Sequence, residues 1–156
     1  MTKDSADTMT QPGFVEEDTQ KDKYLTFHLA DEDYGLEIRY VTEIIGIQKI
    51  TKVPDMPTYI RGVINLRGKV IPVMDVRSRF GLPTREYDDR TCIIVVDIAE
   101  QPLGLVVDRV NEVVDIPASQ VEPPPAQRGA NGNIRGIGKI GEEVKVLLDV
   151  ERLMED

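Results

Sequence analysis

The chain contains no tryptophan, and aromatic residues make up only 5% of it. A core built without large rings must come from Val, Ile and Leu, whose branched side chains favour strands. Cysteine is almost absent as well. The single Cys92 cannot form an internal disulfide. Its apolar setting, Thr91-Cys92-Ile93-Ile94-Val95-Val96, predicts a buried, inert thiol. A catalytic role for Cys92 would need a base, and nothing ties it to the only histidine, His28. One His and one Cys also leave no material for a zinc site. Positive charge is scarce: 19 Lys and Arg stand against 28 Asp and Glu, a net charge of −9. Such a surface repels phosphate backbones and anionic lipid heads, so neither nucleic acid nor direct membrane insertion is expected. No apolar run approaches the length of a membrane span. Residues 1–22 are polar and acidic, unlike a signal peptide, and read as a disordered acidic tail. The expected location is the cytoplasm.

What is present is 40% apolar residues in 156, enough for one compact domain over 23–156 or two very small ones sharing a core. The chain repeats itself. A shift of 69 places Tyr24–Ala30 over Ile93–Ala99, Gly35-Leu36 over Gly104-Leu105, Val41 over Val110 and Glu43 over Glu112. A shift of 74 places Ile60-Arg61-Gly62 over Ile134-Arg135-Gly136 and Asp75-Val76 over Asp149-Val150. The five extra residues fall between 114 and 134. There, Pro123-Pro124-Pro125 and Asn131-Gly132-Asn133 mark a surface loop over about 122–133. Two copies of one unit follow, roughly 23–88 and 91–156, each gaining by packing on the other.

Each unit reads as five short strands. Leu25, Phe27 and Leu29 alternate with Tyr24, Thr26 and His28, a half-buried strand with His28 facing solvent or a neighbour. Tyr34–Ile38 is a second strand, and Val41–Ile50 a helical turn leading into a third. Pro57–Ile60 reads as a short helix ended by Gly62. Val63–Leu66 and Lys69–Met74 form a hairpin around Arg67-Gly68. Pro72 places its strand at an edge or a bulge. Val76–Phe80 is a helical turn stopped by Gly81, matched by Asp149–Met154 at the end of the second unit. The fold class is therefore all-β with a few short helices: two small closed or nearly closed barrels, with strand exchange between the units left open.

Chemistry is sparse. Gly136-Ile137-Gly138-Lys139-Ile140-Gly141 spells a dinucleotide-binding motif but precedes a strand, where a phosphate site needs a helix. Asp31-Glu32-Asp33 lacks calcium-loop spacing and reads as a solvated turn. Asp75 and Asp149 are candidates for acid/base work, but as repeat equivalents before short helices they also read as N-caps. No metal or cofactor is expected, and the reading is a binding module.

The runs Tyr34–Ile38, Val41–Ile44, Ile60–Gly68 (Ile-Arg-Gly-Val-Ile-Asn-Leu-Arg-Gly), Val70–Arg77 and Gly104–Val110 resemble the CheW family of chemotaxis coupling proteins. The likeness extends from about residue 22 to the end. It implies two SH3-like five-stranded barrels around a common core. It also implies a non-catalytic adaptor that joins the regulatory domain of the histidine kinase CheA to the signalling tips of methyl-accepting chemoreceptors, recruited to arrays beneath the membrane. The receptor helix would lie between the barrels, against Ile38, Val41 and Glu43 of the first unit, Val110 and Val113 of the second, and Arg67. No residue is assigned to the kinase face. The alternatives are a CheW-like module serving another signalling protein and, from a different class, an acid/base hydrolase using Asp75 and Asp149.

Overall fold

The computed structural model describes residues 20–124 and 133–155. Most of the expected tail, and residues 125–132 of the Pro-rich loop, lie outside the described residues. The first unit supplies β1 (Lys23–Leu29), β2 (Glu32–Glu37), β3 (Val41–Gly46), β4 (Ile60–Leu66), β5 (Lys69–Asp75) and the short helix α1 (Val76–Arg79). The second supplies β6 (Cys92–Ile98), β7 (Gln101–Val107), β8 (Arg109–Asp115), the two-residue β9 (Val121–Glu122), β10 (Ile134–Ile140) and β11 (Glu143–Leu148).

The units do not fold separately. One sheet runs β9-β10-β11-β2-β1-β8 and the other β3-β6-β7-β5-β4. Each therefore combines strands of both repeats, and each contains one set of the five repeated strands. The pairings match across the duplication. Val73 on β5 lies parallel to Gly104 on β7, as Leu147 on β11 lies parallel to Gly35 on β2. Val41 on β3 opposes Val96 on β6, as Val110 on β8 opposes Phe27 on β1. The chain after β3 closes the second sheet through paired backbone bonds between Thr51 and Val63, 2.8 and 2.9 Å long. In the first sheet the chain from β8 into β9, which pairs with β10, does the same. The fold is a duplicated SH3-like pair of barrels.

The packing explains why the strands are richer in apolar residues than a half-buried pattern requires. One cluster lies between the barrels: Phe27, Leu29 and Leu36 of one sheet meet Ile94, Val96 and Leu105 of the other, with Met74, Leu148 and Leu153. A second fills the five-stranded barrel with Ile64, Ile71, Val73, Ile93, Val95 and Val106. A third holds Tyr24, Ile116 and Leu147 inside the other barrel. Strands such as Ile93–Val96 are thus buried on both faces. Each such side chain contributes about 1.5–3 kcal/mol. This corrects the half-buried reading of β1, whose Tyr24 and Thr26 are buried along with Leu25 and Phe27. His28 is half-buried and bonds Asp33 at 2.9 Å.

Other expectations also need correction. No helix forms at Pro57–Ile60; turns lead directly into β4, which contains Gly62. The reason is steric. At Gly62 φ is +148°, and a side chain there would overlap the Thr51 carbonyl, so the glycine serves barrel closure rather than helix ending. The helical turn expected within Val41–Ile50 comes earlier, as a 3-10 turn at Ile38–Tyr40. Pro72 lies on an interior strand, but the parallel ladder with β7 begins only at Val73, so no sheet bond is lost. Cys92 is only partly buried, its thiol 3.3 Å from the Arg90 carbonyl. By contrast, the glycine-rich Gly136–Gly141 is strand and turn, in line with its place before a strand in the sequence.

Candidate functional site

The two passages of the chain from one barrel to the other define the region to which the candidate residues belong. The first, Ile38–Tyr40, joins β2 to β3. The second is Asp108, between β7 and β8. Ile38 opens the first passage, Val41 follows it, and Val110 lies just beyond the second. All three are partly buried against the cluster between the barrels. Packing alone accounts for much of their apolar character, and only their outer surfaces remain for a partner.

Val113 is different. It stands 49% exposed on β8, and its repeat equivalent on β3, Ile44, is 44% exposed. Val70 and Val144, again equivalent, are the most exposed large apolar residues described. Duplication has thus left matching exposed apolar positions on both barrels. Ile44, Val70 and Val144 are not among the expected contacts, although a strand position repeated as apolar in both units was the available signal.

Glu43 and Arg67 come together. Glu43 sits on β3, just past a bulge in its pairing with β6, and Arg67 caps the β4–β5 hairpin. The Arg67 guanidinium donates to the Glu43 carboxylate in a charge-assisted bond that spans the closure of the barrel. Both stay partly open to solvent. The hairpin explains the placement. Arg67 and Gly68 have φ of 52° and 86°, the pair of positive values that a two-residue turn demands. The Asn65 side chain accepts from the Gly68 amide at 2.8 Å. Asn or Gly is the ordinary choice at the first position, and the equivalent residue in the other barrel is Gly141, at φ 59°. Arg67 therefore holds a backbone conformation that disfavours arginine.

The carboxylates weighed for catalysis are placed differently from each other. Asp75 is almost fully buried. Its Oδ1 accepts from the Ser78 amide, capping α1, and its Oδ2 accepts from Tyr87 Oη at 2.7 Å and Arg61 Nε at 3.3 Å. Burial first, and the bond to Asp75 second, push the Tyr87 phenol far above its ordinary range. Asp149 makes no side-chain cap bond to its 3-10 turn, so N-capping holds for Asp75 alone. Among the described residues, no group of three or more His, Cys, Asp or Glu could hold a metal ion.

Comparison with known proteins agrees with this architecture. A family model described as CheW-like domain matches residues 23–156. The chemotaxis protein CheW of Klebsiella aerogenes is 36% identical over 139 residues, covering 88% of this chain and 84% of that protein. The chemotaxis protein CheW of Helicobacter pylori is 33% identical over 134 residues, covering 85% and 81%. The crystal structure of the scaffolding protein TtCheW from Thermoanaerobacter tengcongensis superimposes with a TM-score of 0.81 at 40% identity, covering 86% of this chain and 93% of that one. With the family model spanning the whole duplicated fold, the chain belongs to the CheW-like domain family.

Proposed function

We propose that this chain is a non-catalytic adaptor that couples a CheA-type histidine kinase, through the kinase's regulatory domain, to the cytoplasmic tips of chemoreceptors. Membership of the CheW family and the relatives named for chemotaxis support the role. The observation that carries the site is Arg67. A non-glycine residue kept in the left-handed region, where the sister barrel uses glycine, is retained for its side chain. Arg67 presents a planar donor suited to a carboxylate or carbonyl of a docking helix, and Glu43 orients it. Ile38, Val41, Val110 and Val113 supply the apolar remainder of that contact. Engaging a receptor helix and a kinase domain at once turns two modest affinities into a durable assembly. Signals then pass as shifts between kinase states. No helix among the described residues is long and apolar enough to cross a membrane, which is compatible with a cytoplasmic adaptor brought to receptor arrays by its partners.

The hydrolase alternative gains no support, because both Asp75 oxygens already accept from structural donors.

The test is co-sedimentation of this protein with a CheA-type kinase and receptor signalling fragments, with kinase phosphorylation followed in parallel. The expected result is joint sedimentation with altered phosphorylation, weakened by Glu43→Ala and Arg67→Ala. Binding to neither partner would overturn the adaptor role. Undiminished binding in both variants would overturn the site.

A further inference from the structure

Each passage between the barrels is clamped by the helical turn that follows the last strand of a repeat, and the two clamps carry opposite polarity. At the second passage Asp108 is acidic. Arg77 of α1 grips it with two bonds, Nε to Oδ1 at 2.9 Å and a terminal nitrogen to Oδ2 at 2.8 Å. Both side chains are largely buried. The Ala30 amide, in the β1–β2 turn of the other barrel, also donates to Asp108 at 2.9 Å. The bond to Asp108 raises the pKa of Arg77. Burial alone would push the Asp108 carboxyl up, but Arg77, Ala30 and Arg85 together hold it below the ordinary carboxylate range.

At the first passage the signs reverse. The residue equivalent to Asp108, under the shift of 69, is Arg39, and the residue equivalent to Arg77, under the shift of 74, is Glu151. They meet through Tyr40. Its phenol donates to Glu151 Oε2 at 2.6 Å and accepts from Arg39 at 2.9 Å, while the Arg39 guanidinium lies 4.4 Å from the ring centre.

The inversion bears on a choice that the repeat otherwise leaves undecided. In the observed fold β5 lies parallel to β7, which sets α1 beside Asp108. Likewise β11 lies parallel to β2, which sets the C-terminal 3-10 turn beside Arg39. If each repeat closed on itself, β5 would pair with β2 and β11 with β7. Arg77 would then face Arg39, and Glu151 would face Asp108. Like charges would then meet at both positions: beside the largely buried Asp108 the repulsion is strong, and beside Arg39, whose side chain is 58% exposed, it is weaker.

We propose that this pair of opposed clamps, Arg77–Asp108 and Glu151–Tyr40–Arg39, selects the intertwined pairing of the two repeats over the self-closed one. The clamps also position the passages that carry Ile38, Val41 and Val110, a second consequence that rests on the receptor-binding reading above.

The experiment exchanges residues between equivalent positions, so that composition and net charge stay constant. The double variant Arg77→Glu/Glu151→Arg places like charges at both clamps. A fourfold variant adds Arg39→Asp and Asp108→Arg, which restores both clamps with polarity reversed. Pairing is read in a Cys92→Ser background through a disulfide between Tyr34→Cys and Val146→Cys, partners across β2 and β11. The double variant is expected to lose about 10 °C in unfolding midpoint and most of the crosslink. The fourfold variant is expected to recover at least half of each loss. If the double variant does not fold, recovery of folding in the fourfold variant carries the same meaning. A double variant with the parent's midpoint and full crosslinking overturns the proposal, as does a fourfold variant no better than the double. Neither readout involves a receptor, so failure of the receptor-binding reading would show separately, as absent binding by the unaltered protein.

Discussion

Arg67→Asn separates what Arg67 does for the fold from what it does for a partner. The backbone there sits at φ 52°. Left-handed geometry costs an ordinary residue about 1–2 kcal/mol, and Asn is among the few that accept it readily. The substitution creates Asn-Gly, the favoured pair for this turn. Relief of strain is worth about 1 kcal/mol. Against it stands the loss of the bond to Glu43. With the Arg67 side chain 69% and Glu43 30% exposed, that pair is worth about 0–1 kcal/mol. The two nearly cancel, so stability should stay within about 1 kcal/mol of the parent, or less than about 4 °C in midpoint for a domain of this size. Urea unfolding followed by far-UV circular dichroism suits a chain without tryptophan. Receptor binding, by contrast, should fall about 10- to 100-fold, the loss of one charge-assisted bond at an interface. Destabilisation beyond about 2 kcal/mol would show that Arg67 is structural. Unchanged binding at unchanged stability would remove it from the site.

Other outcomes follow from the same geometry. Asp75→Asn weakens the bonds from Arg61, Tyr87 and the Ser78 amide and should cost about 1.5–3 kcal/mol in urea unfolding; an unaffected midpoint would contradict a structural role. Gly62→Ala should destabilise more than Gly136→Ala, because it adds a forbidden φ to a backbone overlap, whereas at Gly136 a side chain would sit 2.8 Å from the Glu122 carbonyl without a positive φ. The expected losses are more than about 3 kcal/mol against about 1–3, and the reverse order would refute the closure argument. The lowered pKa of Asp108 has a definite sign. A carboxyl depressed in the folded state contributes stability above its unfolded pKa of about 3.9 and loses it as pH falls through the folded value. Asp108→Asn should therefore be less stable than the parent at neutral pH, with the gap closing as pH falls below the ordinary carboxylate range; a gap independent of pH would mean that Asp108 acts by shape alone.

Much of this protein was legible in its residues. The duplication, the order of short strands, the Arg67-Gly68 hairpin and the helical turns after β5 and β11 all rest on spacing and turn chemistry over a few neighbours, and short-range rules reach that far. Glu43 and Arg67 were each named as candidate contacts, but their bond to each other forms only once the barrel closes and brings β3 to the β4–β5 hairpin. The helix expected at Pro57–Ile60 failed because Gly62 answers to the carbonyl of Thr51, a contact made across the barrel. The alternation on β1 misled because its second face meets Ile116 and Leu147 from the other repeat.

What only the tertiary structure decided is which barrel each strand joins. β5 and β11 carry the same pattern, and so do β2 and β7, so periodicity ranks neither pairing above the other. The difference lies in a few charges at the passages, between residues such as Arg77 and Asp108 that are 31 positions apart, or Tyr40 and Glu151, 111 apart. Their energies exist only once the barrels have met.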